Sequence, residues 1–221
     1  MRSTCKQYLR VESLESLASR EGTKMAAIQA DLTSREACRK VIDEACSKLG
    51  PLHSVINNAG SLIERRSIEE LDSEFLARTL DLNIASTIWI TQAAVPVLAT
   101  QKEGSSIVNL SSLAGRKGGH SGSIAYSTSK GSIITWTRHA SNELGNRGIR
   151  VNCVAPGLIL GTSFHDTFTT KESADKTIES IPLGRAGSPD DVARAVLYLA
   201  SEYDGFISGI TLDINGGAYV A

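Results

Sequence analysis

The 221-residue chain predicts an α/β fold built on a doubly wound parallel sheet, on three observations. Short apolar runs alternate with stretches of helical spacing from residue 25 to the C-terminus. Strand–helix–strand order, repeated, means parallel βαβ units. The segments that follow the strands are small, polar or glycine-containing: "DLT" (31–33), "NNAG" (57–60), "SSLAG" (111–115) and "APGLI" (155–159). A ligand crevice at the carboxyl ends of such strands requires segments of this kind.

The elements follow in order. Residues 25–30, "MAAIQA", form an apolar run ended by Asp31 and read as a strand. Residues 34–49 read as a helix, with Ala37, Val41, Ala45 and Leu49 four apart, Ser34 as N-cap and Gly50-Pro51 as the stop. Residues 52–56 are the next strand. A long helix is predicted over 73–99, interrupted near Pro96. A strand is expected at 106–110, a helix at 123–144 and a strand at 149–154. A helix over 189–200 has Ser188 as cap and Pro189 at its first position. Residues 210–214 make the last strand. The long irregular stretch 161–182 reads as a lid or binding loop.

Length and composition suit one soluble domain over residues 1–221, with 41% hydrophobic and 21% charged residues. A net charge of −1 offers no basic excess for a phosphate backbone, so no nucleic-acid partner is expected. No apolar run is long enough for a membrane span, and the N-terminus lacks the apolar core of a signal peptide, so neither a membrane partner nor secretion is expected. Cys5, Cys38, Cys46 and Cys153 are scattered and read as small buried hydrophobes in a reducing cytoplasm. The four histidines show no ligand spacing, so no catalytic metal is expected.

The chemistry centres on "SIAYSTSKGSIITWTRHA" (123–140). Tyr126 and Lys130 are four apart on a predicted helix and project from one face. A free tyrosine titrates near 10, too high for acid–base work at neutral pH. A cationic lysine beside it stabilises the phenolate and lowers that value. Ser112 follows a strand closely, where its hydroxyl could hold a substrate oxygen, and Ser111 is its rival. Trp89 and Trp136 read as packing residues.

The pair occurs in order with "NNAG", the asparagine of "DLNIAS", "NLSSLAG", "VNCVAPG" and a terminal "DINGG". Together these resemble the short-chain dehydrogenase/reductase family from about Asp31 onward, and within it the β-ketoacyl-carrier-protein reductases and the sugar and polyol dehydrogenases. The resemblance implies a Rossmann-like sheet, an NAD or NADP cofactor, and an oxidoreductase that interconverts a secondary alcohol and a ketone on a small-molecule substrate. It assigns catalysis to Asn83, Ser112, Tyr126 and Lys130. Tyr126 exchanges the proton, Ser112 holds the substrate oxygen, Asn83 holds a relay water, and Lys130 also holds the nicotinamide ribose. It assigns cofactor contacts to Asp31 and Leu32 near the adenine, and to Asn58, Ala59 and Gly60 beside the adenosine ribose. Pro156, Gly157 and Ile159 would line the nicotinamide, with Thr162 a candidate for its carboxamide. A homo-oligomer, tetramer or dimer, is implied as well.

The family's first strand and its TGxxxGxG turn have no counterpart here, so the first βαβ unit is missing and an artificial start is expected. Without that unit, residues 25–30 have no neighbour unless they pair with 52–56 through a right-handed crossover. Residues 52–56 otherwise become an edge. Arg2 and Ser3 fall near the point where NAD and NADP are told apart. The alternative to an enzyme is an inactive family member that acts as a structural or hetero-oligomeric partner.

The stretch 161–182 mixes Phe164 and Phe168 with many hydroxyls and suits a sugar, a polyol or a β-ketoacyl thioester. Arg116 and Lys117 could attract an acidic carrier protein, with solvated surface charge the favoured reading; His120 and His165 could border the pocket, with a solvated loop histidine favoured for each.

Overall fold

The computed structural model describes residues 14–101, 104–202 and 205–220. Arg2, Ser3 and Cys5 therefore lie outside the described residues. A helical segment at 14–20 precedes α1 (Arg35–Leu49), β1 (Ser54–Asn57) and α2 (Ser73–Leu80). A π-helical turn (Asp81–Ala85) leads into α3 (Ser86–Leu98), β2 (Ser105–Leu110), α4 (Leu113–Lys117) and α5 (Ile124–Leu144). Then come β3 (Ile149–Pro156), α6 (Ser163–Phe168), α7 (Lys171–Glu179), α8 (Pro189–Ala200) and β4 (Thr211–Ile214).

The four strands pair in the order β1-β2-β3-β4, all parallel. Ile107 and Val108 show why one sheet needs two helical layers, since neighbouring side chains point to opposite faces. Ile107 packs with Val55, Val151, Ile90 and Leu98 under α3 and α5. Val108 packs with Val154 and Leu199 under α8. Ile56 shares the α8 face of the edge strand and is left 40% exposed.

Residues 25–30 are not a strand of this sheet, and β1 pairs with β2 alone. The strand read at 25–30 is therefore corrected, and the crossover offered as one way to pair it with β1 is not formed. The helix that should carry it lies instead beside α3: Arg35 Nε donates to Gln92 Oε1 at 3.0 Å and the guanidinium sits 5.1 Å from the Trp89 ring.

The ends of α1 are as expected, with Ser34 Oγ accepting from Ala37 N–H and the Gly50 N–H bonding Cys46 O. Its buried stripe is one residue over, at Cys38 and Ile42, with Leu49 exposed. The Cys38 thiol donates to Leu32 O at 3.2 Å, which turns that face inward.

The long helix breaks at Asp81–Ala85 and not at Pro96, which stays within α3. α8 keeps its predicted bounds, closed by a capping box between Ser188 and Asp191. The stretch 161–182 is largely helical, because Thr162 and Thr170 each cap a helix through their hydroxyls. Among the described residues no helix is long and apolar enough to cross a membrane.

Candidate active site

The strand ends carry a buried polar layer beneath the crevice. Asn57 and Asn109 are register partners on β1 and β2. Asn57 Nδ2 donates to Asn109 Oδ1 at 2.8 Å, and Asn109 Nδ2 donates to Thr137 Oγ1 of α5 at 2.9 Å. Buried amides demand partners, and these bonds tie strand ends to the helix that carries Tyr126 and Lys130.

After β2 the chain turns at two serines with separate duties. Ser111 is buried and donates to the backbone oxygen of Lys130 at 2.6 Å. Ser112 is the N-cap of α4, accepting from Ala114 N–H at 3.1 Å. The Ser112 hydroxyl lies near enough to the Tyr126 hydroxyl to act on its titration. Burial pushes the Tyr126 hydroxyl above its usual range, and Ser112 draws it part of the way back.

Lys130 is 3% exposed, and its Nζ donates to Leu110 O at 2.8 Å. Burial brings its pKa down to about 8. The ammonium sits 5.8 Å from the Tyr126 ring centroid. The expectation that Lys130 lowers the tyrosine's pKa is therefore corrected: Ser112 supplies the downward pull, and desolvation outweighs it.

α4 and α5 approach at two glycines. A Cβ on Gly115 would stand 2.6 Å from the Lys130 backbone carbon, so glycine there lets Ser112 reach the helix of Tyr126.

Asn83 lies fully buried in the π-helical turn, a local widening common at functional sites. Its two amide hydrogens go to Ser61 O at 2.8 Å and Thr79 O at 2.9 Å, and its Oδ1 accepts from Ser61 N–H at 3.0 Å. Its side-chain donors are thus spent, one on the 57–61 loop and one on the end of α2. A Cβ on Gly60 would fall 2.7 Å from Asn83 Oδ1 and 2.9 Å from Lys130 Nζ. Gly60, Asn83 and Lys130 therefore meet at one point.

A cavity of about 630 Å³ opens above Ser112 and Tyr126, with Gly157 on its wall. The lid segment closes one side, where the Phe164 ring lies 5.6 Å from the Tyr126 ring. His120 and His165 both line the cavity. The His165 ring bonds the Thr169 hydroxyl at 2.9 Å, and burial holds its pKa below the usual value. Phe164, noted in the lid from sequence, lines it as well, and so do Ser123 and Leu113, which were not singled out. Ser123 could have been found, as it stands one turn before Tyr126 at the start of the predicted helix.

The other predicted residues spread along the strand ends. Asp31 is exposed and accepts from the N–H and hydroxyl of Thr33 at 3.0 and 2.7 Å, which holds its carboxyl below the usual range. Leu32 packs against the core beside α1. Asn58 is exposed, Ala59 is half-buried, and Pro156 pairs with Ile214. Ile159 turns its side chain against Gly187, whose Cβ would meet it at 2.5 Å. Thr162 gives its hydroxyl to the cap of α6. Arg116 is not a solvated charge: it forks onto Asp213 at 3.1 and 2.9 Å and donates to Thr211 O, so α4 is tied to β4. Trp89 and Trp136 pack against the core as expected.

A family model described as "Enoyl-(Acyl carrier protein) reductase" matches residues 5–219. The structure of a short-chain type dehydrogenase/reductase from Mycobacterium ulcerans superposes with a TM-score of 0.84 at 29% identity, covering 94% of this chain and 74% of that one. The chain belongs to the short-chain dehydrogenase/reductase family. It is an oxidoreductase of that family. The (3R)-3-hydroxyacyl-CoA dehydrogenase of Mus musculus is 36% identical over 215 residues, 95% of this chain and 81% of the relative. An NADH-dependent reductase described as responsible for alginate metabolism has a TM-score of 0.83 at 30% identity, over 92% of this chain and 79% of that one. The Ser112–Tyr126–Lys130 grouping of this short-chain dehydrogenase/reductase thus sits where β2 and α5 of the shared fold bring it.

Proposed function

We propose that this chain interconverts a secondary alcohol and a ketone with a nicotinamide cofactor, Tyr126 giving and taking the hydroxyl proton. The observation that carries the reading is Tyr126 and Ser112 together on the wall of the 630 Å³ cavity with Lys130 buried behind them.

The residues present suit the nicotinamide end of such a cofactor. An ammonium carries three N–H donors, and Lys130 spends one of them on Leu110 O. The other two are free to donate to ribose hydroxyls. Gly60, bare of a side chain, keeps the approach to Lys130 open. Bound there, the nicotinamide would exchange a hydride with the carbinol carbon. One structural relative is described as NADH-dependent, and titration with NADH and NADPH tells which of the two this chain takes.

The chain's own groups do the proton work. A protonated Tyr126 donates to a ketone oxygen as it gains negative charge, while the Ser112 hydroxyl orients that oxygen. The raised tyrosine pKa keeps the proton in place at neutral pH and favours reduction over oxidation there. Phe164 and the α6–α7 segment shield the site from water.

The test is a fluorescence titration with NADH and with NADPH, followed by turnover of ketone panels with Tyr126→Phe as the control. Binding, with turnover that Tyr126→Phe lowers by about a hundredfold or more, supports the reading. No binding of either cofactor would overturn it in favour of a structural role, and retained turnover removes Tyr126 from its assignment.

A further inference from the structure

The cavity above Tyr126 is lined by three cationic side chains, Arg65, Lys117 and Lys176, against one carboxylate, Glu172. The whole chain has a net charge of −1, so this positive excess is local to the cavity. Arg65 donates to the carbonyls of Ser121 and Phe168 at 3.0 and 3.2 Å, neutral partners that leave its charge uncompensated. Among the described residues, neither Lys117 nor Lys176 forms an ion pair.

The lid helix is turned the wrong way for an apolar ligand. Ser173, Lys176, Thr177 and Ser180 recur at the spacing of one helix face, and all four line the cavity. A helix that closes over an apolar pocket turns its apolar stripe inward. Here the buried Ala174 is off that face, and the cavity meets hydroxyls and an ammonium.

Lys117 approaches from the other side. It ends α4, five residues beyond Ser112, so its Cα stands roughly 7.5 Å further along the helix axis. A group held by Lys117 and Lys176 is therefore several bonds away from a carbon held at Ser112.

From these observations we infer that the cavity takes a hydroxylated substrate bearing an anionic group, a carboxylate or a phosphate, at the end away from the reacting carbon. Lys117 and Lys176 clasp that group, and Arg65 adds to the field that draws it in. The inference rests on the cavity being the substrate site of the function proposed above. It narrows the substrate to acids or phosphate esters of hydroxylated compounds.

The experiment reads binding rather than turnover. D-Glucose, D-glucuronate and glucose 6-phosphate serve as matched neutral, carboxylate and phosphate probes, titrated into the full chain by calorimetry at low salt. At least one charged probe is expected to bind about tenfold or more tighter than glucose, with the advantage shrinking in added salt. Which charged probe gains tells carboxylate from phosphate.

In the Lys117→Met/Lys176→Met double variant the advantage is expected to vanish. Both lysines are exposed, and an unchanged melting temperature verifies that this variant is folded. Equal affinity for all three probes, no binding of either charged probe, or an advantage that survives in the double variant would each overturn the inference. Tyr126→Phe, which removes the proton donor, is expected to keep the advantage of the charged probes over glucose. Charged-probe binding without turnover would therefore leave this inference standing while the proposed reaction fails.

Discussion

Lys130 Nζ donates a 2.8 Å hydrogen bond to the carbonyl oxygen of Leu110, the last residue of β2. The bond pins a helix side chain to the end of the central strand pair. It holds the ammonium in the crevice at 3% exposure, where a charge is costly.

That cost gives the first prediction. The Lys130 amine falls from 10.5 to about 8 on folding, a gap worth about 3 kcal/mol against the folded state. Below pH 8 the amine is charged in both states and the whole cost is present. Between pH 8 and 10.5 the unfolded chain holds the proton and the folded chain does not, so stability rises with pH until the cost is gone. Lys130→Met forfeits about 1 kcal/mol with the Leu110 bond and removes the larger charge cost. The variant is expected to be about 2 kcal/mol more stable than the natural chain at pH 7, without turnover, and to lose that advantage by pH 10.5. Denaturant titrations at the two pH values check it. A less stable variant at pH 7 would count against the buried charge.

The two serines after β2 separate by function. Ser112→Ala removes the cap of α4 and the hydroxyl that acts on Tyr126, at about 1 kcal/mol of stability and a fall in turnover of about a hundredfold. Ser111→Ala removes only the donor to Lys130 O, at about 1 kcal/mol, with turnover within a few-fold of the natural chain. Steady-state kinetics and thermal melts on both variants decide the assignment. A reversed pattern makes Ser111 the substrate-facing residue.

Gly115 and Gly131 face each other and should respond oppositely to alanine. At Gly115 the added methyl meets Lys130 backbone at 2.6 and 2.8 Å and Gly131 nitrogen at 2.7 Å, atoms that cannot yield without moving α5. Gly115→Ala is expected to cost about 3 kcal/mol or to unfold the chain. At Gly131 the nearest atom is Gly115 O at 3.4 Å, ordinary contact in a helix interior. Gly131→Ala is expected to be neutral or to stabilise by up to about 1 kcal/mol. Melting temperatures of the pair check this, and equal losses would refute the close approach.

The direction of catalysis should depend on pH through Tyr126. Its hydroxyl titrates above the usual tyrosine value because burial outweighs the pull of Ser112. Reduction, which needs the protonated form, is expected to stay level from pH 6 to about 8, whereas oxidation, which needs the phenolate, climbs with pH throughout. Initial rates in both directions across that interval measure it, and oxidation that plateaus below pH 8 would mean a lower tyrosine pKa.

Much of this site is local chemistry, and local chemistry is legible in a sequence. The four-residue step from Tyr126 to Lys130 dictates a shared helix face wherever that helix sits, and Ser188-Pro189 marks a helix start unaided. Strand alternation likewise placed β2, β3 and β4 within two residues at every boundary. Residues 25–30 carry a strand-like pattern, but a strand exists only where a neighbour supplies hydrogen bonds, and none lies beside them in this sheet. The break at Asp81–Ala85 has no proline to announce it, because it answers to the tertiary bonds of Asn83 with Ser61.

The electrostatics were decided by packing as well. Sequence spacing puts a cation near a tyrosine. Only the folded molecule shows that Lys130 is desolvated and bonded to Leu110 O, that Ser112 acts on the Tyr126 hydroxyl, and that Arg116 is spent on Asp213. The sequence by itself determined where Ser112, Tyr126 and Lys130 stand along their elements, since periodicity and caps are properties of neighbours along the chain. The tertiary structure alone decided which of them touch and which charges remain free, since burial and pairing depend on residues far apart in sequence.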